Sequence, residues 1–308
     1  MKKAVVTGGA GFIGSHLAEE LARRDYRVII LDDLSTGRME NIKELLKKDN
    51  VKLIQASILD LNLVQKLFQG VDYVFHQAAL PRVPRSIEDP LTTNEINIKG
   101  TLNVLLAARE NRVRKVIYAS SSSIYGGTPT LPQREDMPPN PLSPYALTKL
   151  AGEYYCNIFR QIYSLFTVCL RYFNVYGSRQ DPHSQYATVM PAFIGRISQN
   201  LAPIIFGDGE QSRDFTFIED VVRANILAAE NNAEGVYNIG SGKSVTINRL
   251  AEIILSLMQK RLKPVHEKPR PGDARHSLAD ISKAKSFGYQ PKWTLENGLR
   301  RTIKEFRQ

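Results

Sequence analysis

Short apolar runs that alternate with amphipathic stretches constrain this chain more than any other feature. Ala4-Val5-Val6 leads through a glycine-rich turn into a helical pattern over 12–24. Val28-Ile29-Ile30-Leu31 follows and ends at Asp32-Asp33. The same rhythm predicts strands at 51–54, 71–75, 115–119 and 167–170, with helices near 60–69, over about 91–111 and over 144–163. Strands that alternate with helices form parallel βαβ units, so the expected class is α/β, a doubly wound parallel sheet.

After about residue 175 the rhythm breaks. Pro, Gly, Asp and Arg cluster at 177–184, 207–214 and 268–275. Such loops on a rigid scaffold are where binding residues concentrate. The expectation is a first domain over 1–175 and a smaller lobe over 176–308, with Val236-Tyr237-Asn238-Ile239 a strand that rejoins the first sheet.

Composition excludes several classes. No apolar run reaches the roughly 18–20 residues of a membrane span, so no membrane partner is expected. The apolar N-terminal stretch runs into Thr7-Gly8-Gly9 and is too short for a secretory signal. Cys156 and Cys169 are the only cysteines, which excludes a disulfide framework and fits a cytoplasmic setting. Lys and Arg exceed Asp and Glu by 41 to 31. That balance favours anionic ligands, but the cations are scattered with no run of five or six, so no nucleic-acid arm is expected.

Thr7-Gly8-Gly9-Ala10-Gly11-Phe12-Ile13-Gly14 lies between the first strand and the first helix. Glycines at 8, 11 and 14 let the backbone turn tightly and approach a pyrophosphate seated on the positive helix N-terminus. Asp32 ends the second strand. A carboxylate there accepts both adenosine-ribose hydroxyls and repels a 2′-phosphate, which favours NAD over NADP.

Tyr145-x-x-x-Lys149 places a phenol and an ammonium on one helix face. Ser143 and Pro144 suit the cap and first turn of that helix. A nearby ammonium stabilises phenolate and lowers the Tyr pKa, making a general base. Just upstream, Ser120-Ser121-Ser122-Ser123 ends a strand and supplies a hydroxyl for the reacting oxygen.

These motifs resemble the extended short-chain dehydrogenase/reductase family, and specifically its nucleotide-sugar 4-epimerases. The resemblance extends to Asp32-Asp33-Leu34-Ser35-Thr36-Gly37, His76-Gln77-Ala78-Ala79, Asn97-Ile98-Lys99-Gly100-Thr101, Arg171-Tyr172-Phe173-Asn174-Val175-Tyr176-Gly177, Ser212-Arg213-Asp214-Phe215 and Arg270-Pro271-Gly272-Asp273. It implies a Rossmann-type sheet with a smaller C-terminal substrate-binding lobe, and Ser121, Tyr145 and Lys149 as the catalytic set. NAD contacts would come from Gly8, Gly11, Phe12, Ile13, Gly14, Asp32, Asp33, Ser35, Thr36, Gly37, Ile58, Gln77, Ala78, Ala79, Asn97, Ala119, Tyr145, Lys149 and Phe173. Ser57 departs from the acidic residue that many relatives place beside adenine. On the substrate side, Asn174, Arg213 and Arg270 would grip the diphosphate and Asp273 a ribose hydroxyl. Ile204 and Phe206 would flank the uracil, with Val189 nearby.

The reaction implied is C4 epimerisation of a UDP-sugar through a 4-keto intermediate, with NAD retained between turnovers. Ser122 and Ser123 stand where dehydrating relatives carry an acid pair. Ser277 stands where glucose-restricted relatives carry a bulky Tyr, leaving space for a 2-acetamido group that Ser122 is placed to bond. UDP-N-acetylglucosamine is therefore the expected substrate, with UDP-glucose also accepted. UDP-glucuronate is the competitor, since Arg82 or Arg85 is available to a carboxylate. A non-catalytic NAD-binding sensor or RNA-associated scaffold remains the alternative of another class, and a net oxidoreductase that exchanges its cofactor freely is also open. His76 is expected to be structural, and dispersed histidines predict no metal site. On the helix 146–163, one apolar stripe holds Leu147, Leu150, Tyr154 and Ile158, and a second Ala151, Tyr155, Phe159 and Ile162. Two stripes exceed what one sheet covers. The second is expected to form a homodimer, or else to lie under the smaller lobe.

Overall fold

Seven of the apolar runs become strands of one parallel sheet. The computed structural model describes residues 1–81, 83–180, 188–269 and 275–306. In chain order the first half contributes β1 (Lys3–Thr7), α1 (Phe12–Arg23), β2 (Arg27–Asp32), β3 (Val51–Gln55), α2 (Leu61–Leu67), β4 (Tyr73–His76), α3 (Val83–Glu88), α4 (Pro90–Asn94), α5 (Gly100–Glu110), β5 (Lys115–Ser121), α6 (Pro144–Tyr163) and β6 (Thr167–Tyr172). The second half contributes β7 (Val175–Tyr176), α7 (Val189–Ser198), β8 (Ile204–Phe206), β9 (Ser212–Asp214), β10 (Thr216–Phe217), α8 (Ile218–Glu230), β11 (Gly235–Ile239), β12 (Ser244–Thr246), α9 (Ile247–Leu257), β13 (Val265–Glu267) and α10 (Leu295–Phe306).

The large sheet runs β11-β6-β5-β4-β1-β2-β3, and every pairing in it is parallel. One apolar layer packs α1 and α8 on one face, through Leu17, Leu21, Val221 and Ala224. The other packs α2, α5 and α6 on the opposite face, through Val64, Val104, Cys156 and Phe159. The chain leaves β1 in one direction for β2 and β3, then returns to β4 on the other side. Ligands of open α/β sheets bind in the crevice that such a reversal opens at the strand C-termini.

The chain re-enters this sheet after residue 217. Strand β11 pairs with β6 from Gly235 opposite Val168 to Ile239 opposite Tyr172, and α8 packs on α1. The remaining strands form three two-stranded sheets, β10-β7, β12-β9 and β13-β8, between shorter helices.

Two helices repay attention. The single helix expected over 91–111 is three segments. Asp89 accepts the Thr92 N–H at 3.0 Å and Pro90 takes the first turn of α4. Glu95–Lys99 then widens into a π-turn before α5 resumes at Gly100. Apolar period alone does not distinguish a π-turn from a straight helix, and such turns collect at functional sites. Helix α6 keeps its expected bounds, because the Ser143 hydroxyl accepts the Ala146 N–H at 3.2 Å. Its stripes differ from expectation. Leu147, Tyr154 and Ile158 of the first are exposed with Ile162, while Leu150 and Phe159 are buried. Tyr145, Lys149, Glu153 and Cys156 set the inward face, so the outward stripe falls opposite them.

Lys115, at the start of β5, is buried and spends its ammonium on carbonyls in the last turn of α8 and just beyond it. It donates to Ala228 O at 3.1 Å, Asn231 O at 2.5 Å and Ala233 O at 3.3 Å. Helix C-termini leave such carbonyls unpaired, and burial lowers the pKa of this lysine. The substitution Lys115→Met leaves them without a donor. It is expected to cost about 2–4 kcal/mol of stability, measured by urea unfolding, with little change in the cleft chemistry.

Candidate active site

The sheet reversal opens a cleft of about 1040 Å³. Its floor is the turn between β1 and α1. Gly8 has φ +66°, and a Cβ there would lie 2.7 Å from Ala78 N at the end of β4. A Cβ on Gly14 would lie 2.1 Å from Gly8 O. Helix α1 can therefore begin directly over the turn only with glycine at both positions. Its N-cap, Gly11, offers no side chain to the first helical N–H groups, so they stay available to an anion.

Asp32 closes one end. Its Oδ2 accepts the Ala10 N–H and its Oδ1 the Leu34 N–H, each at 2.8 Å. Burial holds its carboxyl above the usual range despite those two bonds. Asp33, Ser35, Thr36 and Ile58 also line the cleft. Ser57 lines it too, with its hydroxyl turned to the Leu59 N–H at 3.2 Å.

The catalytic candidates meet at the centre. Tyr145 and Lys149 project from α6 and Ser121 from the end of β5, and all three line the cleft with Ala119 and Ser122. Burial raises the Tyr145 pKa, and a hydrogen bond with the Ser121 hydroxyl lowers it in part. Lys149 is 4 % exposed, and burial brings its pKa down to about 8. Its Nζ donates to Ala119 O at 2.8 Å and lies 5.9 Å from the Tyr145 ring centre. Sequence spacing predicts that Lys149 lowers the Tyr145 pKa. In the structure the ammonium donates to the strand carbonyl of Ala119 while remaining on the Tyr145 side of the cleft.

His76 lies behind this centre with no access to the cleft. Its Nδ1 is 2.7 Å from the Thr7 hydroxyl and its Nε2 is 2.9 Å from the Thr101 hydroxyl. Thr101 donates onward to Asn97 O at 2.6 Å. A neutral imidazole protonated at Nε2 satisfies all three contacts. Burial, and then the Lys149 charge, push its pKa down to about 3.

The family model for NAD-dependent epimerases and dehydratases matches residues 4–240. The chain belongs to that family. A putative UDP-glucose 4-epimerase of Methanocaldococcus jannaschii is 42% identical over 97% of this chain and 96% of its own. A solved UDP-N-acetylglucosamine 4-epimerase of Methanobrevibacter ruminantium, in complex with UDP-N-acetylmuramic acid, is 44% identical. It superposes with a TM-score of 0.97 over 99% of this chain and 98% of its own. A UDP-glucuronic acid 4-epimerase of Bacillus cereus, solved with UDP-glucuronic acid and NAD, is 34% identical with a TM-score of 0.93 over 99% of each chain.

Membership in this epimerase/dehydratase family makes NAD the cofactor, and the cleft residues fit it. The glycine turn is a cradle that any Cβ would fill, the first N–H groups of α1 stand open to a diphosphate, and Asp32 retains acceptor capacity for ribose hydroxyls. Gly11, Phe12, Ile13, Gln77, Ala78 and Ala79 complete this half of the wall.

Several expected contacts stand elsewhere. Asn97 is buried in the π-turn, where it accepts the Leu80 N–H at 2.7 Å and donates to Leu80 O and to the Thr148 hydroxyl. It shapes the wall through Leu80 and does not line it. Phe173 is fully buried against Tyr125 and Ala279. Gly37 lies beneath Asp32, where a Cβ would come within 2.6 Å of the carboxylate. Val189, Ile204 and Phe206 are half-buried and do not border the cleft, and β8 instead pairs with β13. Asn174 and Arg213 do line it. The Asn174 amide already donates to Asp214 O at 3.2 Å and to the Ser277 hydroxyl at 3.1 Å. Arg82, Arg270 and Asp273 lie outside the described residues.

The cleft also gathers residues that no motif singled out. Arg275, Arg38 and Asn41 line it. Arg275 stands two residues past the motif that ends at Asp273, and that adjacency was the available signal.

His76 gives the fold a pH dependence of definite sign. An unfolded imidazole protonates below about 6.5, whereas the folded one stays neutral down to about 3. Between those values the unfolded chain binds more protons, so stability falls as pH falls. His76→Gln keeps one acceptor and one donor and removes the titration. Its urea-unfolding free energy is expected to lose roughly 2 kcal/mol less than the parent between pH 7 and pH 5.

Proposed function

We propose that this chain interconverts C4 epimers of a UDP-sugar, with UDP-N-acetylglucosamine preferred and UDP-glucose accepted. The carrying observation is Ser277. It lines the cleft at 8 % exposure, its backbone N–H donates to Ser212 O at 3.0 Å, and its hydroxyl accepts from Asn174. With that acceptor bond made, the hydroxyl proton is free to donate to a substrate carbonyl. A side chain this small leaves the 2-position of the sugar unobstructed. The 44% identical epimerase of Methanobrevibacter ruminantium supports the same substrate class.

In this reading NAD bound on the glycine turn would supply a reversible hydride acceptor for C4 of the sugar. Tyr145 removes and restores the 4-hydroxyl proton. The single Ser121 proton donates to the Tyr145 phenolate before transfer and to the reacting oxygen after it. Lys149 keeps a positive charge beside the site, and neutral His76 avoids adding a second one behind it. The open N–H groups of α1 hold the cofactor diphosphate, and Arg213 faces the substrate diphosphate.

A second reading, UDP-glucuronate, rests on Arg85. This half-buried side chain lines the cleft and makes no hydrogen bond or ion pair with a described residue. The neighbouring Ser86 hydroxyl accepts the Tyr145 N–H at 3.1 Å, so the short helix that carries Arg85 is tied to the start of α6.

The test uses protein without added cofactor, incubated with UDP-N-acetylglucosamine, UDP-glucose and UDP-glucuronate separately. The acetamido sugar is expected to show the highest kcat/KM. Ser277→Tyr is expected to lower its turnover by about 100-fold while UDP-glucose turnover survives. Turnover of UDP-glucuronate alone, or equal loss of both activities in the variant, overturns the substrate assignment.

The exposed stripe of α6 supports a homodimer. Leu147, Tyr154, Ile158 and Ile162 are 42–67 % exposed, and an apolar stripe this continuous marks an association surface. Sedimentation equilibrium is expected to give twice the chain mass, and Ile158→Glu to give the monomer.

A further inference from the structure

Helix α6 repeats its spacing once more. Tyr145, Lys149 and Glu153 follow one another at intervals of four and share a face. The first two serve the cleft. Glu153 is buried and does not line the cleft.

Its bonds run to both neighbouring strands. Glu153 Oε1 accepts from the Ser120 hydroxyl at 2.6 Å and from Arg171 Nε at 2.8 Å, and Oε2 accepts from Arg171 Nη2 at 2.7 Å. Arg171, on β6, is 5 % exposed and also lies 4.8 Å from the Tyr125 ring centre. The fork-to-fork geometry fixes the carboxylate plane, which aims Oε1 at Ser120. The backbone comes close here as well, since a Cβ on Gly152 would lie 2.2 Å from the Tyr118 hydroxyl.

Three consecutive residues of β5 therefore meet three turns of α6. Ala119 takes the Lys149 ammonium, Ser120 bonds Glu153, and Ser121 lines the cleft with Tyr145, whose pKa its hydroxyl lowers. A buried ion pair adds little net stability against an apolar pair of the same volume. Its retention beside a reacting centre calls for another account.

We propose that Glu153, held by Arg171, is a positioning residue that sets the register of α6 on β5 and so the placement of Ser121 beside Tyr145 in the cleft. Arg171 orients Glu153, Glu153 holds Ser120, and Ser120 fixes its neighbour Ser121. Displacing a reacting group by about 1 Å costs on the order of 100-fold in rate. This inference rests on the epimerase reading for its kinetic arm alone.

The test compares Ser120→Ala, which leaves the ion pair intact, with Glu153→Gln, which keeps an acceptor but removes the charge. Both should purify folded with NAD bound. With the best UDP-sugar, kcat is expected to fall about 10- to 100-fold at unchanged KM. A second readout needs no sugar. The phenolate absorbance of Tyr145, taken as the difference between each protein and its Tyr145→Phe counterpart, should titrate at higher pH in both variants, because the Ser121 hydrogen bond is weakened. The double change Glu153→Leu with Arg171→Met guards against misfolding. It should be as stable as the parent yet equally slow. Unchanged kcat and titration in the folded single variants overturn the proposal, as does full activity in the double variant. If the parent epimerises no UDP-sugar, the functional reading fails and the titration alone decides this one.

Discussion

The cleft depends on how closely the first turn lies against its own backbone. Gly8 approaches Ala78 and Gly14 approaches Gly8 at distances that exclude any side chain. This packing brings the end of β4 beside the end of β1 and starts α1 directly above both. A single Cβ at either glycine would lift the helix from the sheet. The uncapped N-terminus of α1, the carboxylate of Asp32 and the serines of β5 would then no longer face one space. Close packing of backbone here, rather than any one polar contact, is what makes the pocket.

Buried charge is the second organising constraint. A cluster of ionisable groups behind the cleft must be satisfied without water. His76 is neutral between two threonines, Lys149 is bonded to a strand carbonyl, and Glu153 is matched by Arg171. Asp214 has no cation partner among the described residues. It accepts instead from Ser241 N and Oγ, Gly242 N and Ala279 N at 2.7–3.1 Å, and burial still raises its pKa. Each group pins at least two segments, so satisfying the charges also fixes the geometry of the cleft. Breaking one partner costs more than removing both.

Local signals were legible in the sequence, and distant ones were not. Helix α6 could be read to its ends because Ser143 and Pro144 mark its start within four residues. The glycine turn, Asp32 and the Tyr145–Lys149 pair are likewise local and fall where their motifs place them. The helix over 91–111 was misread because a π-turn leaves the apolar period almost unchanged and alters only the inner hydrogen bonds. Asn97 lies in that turn, and its bonds to Leu80 could not be read from the spacing. The direction of the Lys149 ammonium depends on a carbonyl thirty residues away, and spacing on one helix carries no information about it. The α6 stripes could be counted but not oriented, because the inward face is set by Glu153 meeting Ser120 and Arg171.

The two ends of the cleft are built differently, and the difference suits a redox-neutral reaction. The cofactor end is made of β1, α1, β2 and β4, whose backbone is held by ladder and helix bonds. The opposite end is made of short strands and loops at 174–180, 212–214 and 275–280. Those segments are tied by a few backbone bonds, such as Ser277 N–H to Ser212 O, and by side chains, with Asn174 bonded to both Asp214 O and Ser277 and with Asp214 bonded to Ala279. Elements with many buried backbone bonds open rarely, while short segments tied by fewer bonds open at lower cost. A cleft arranged this way keeps a ligand bound at its rigid end through many exchanges at the other. An enzyme that returns each hydride it removes needs that asymmetry, whereas a dehydrogenase that trades its cofactor every turnover would be slowed by it.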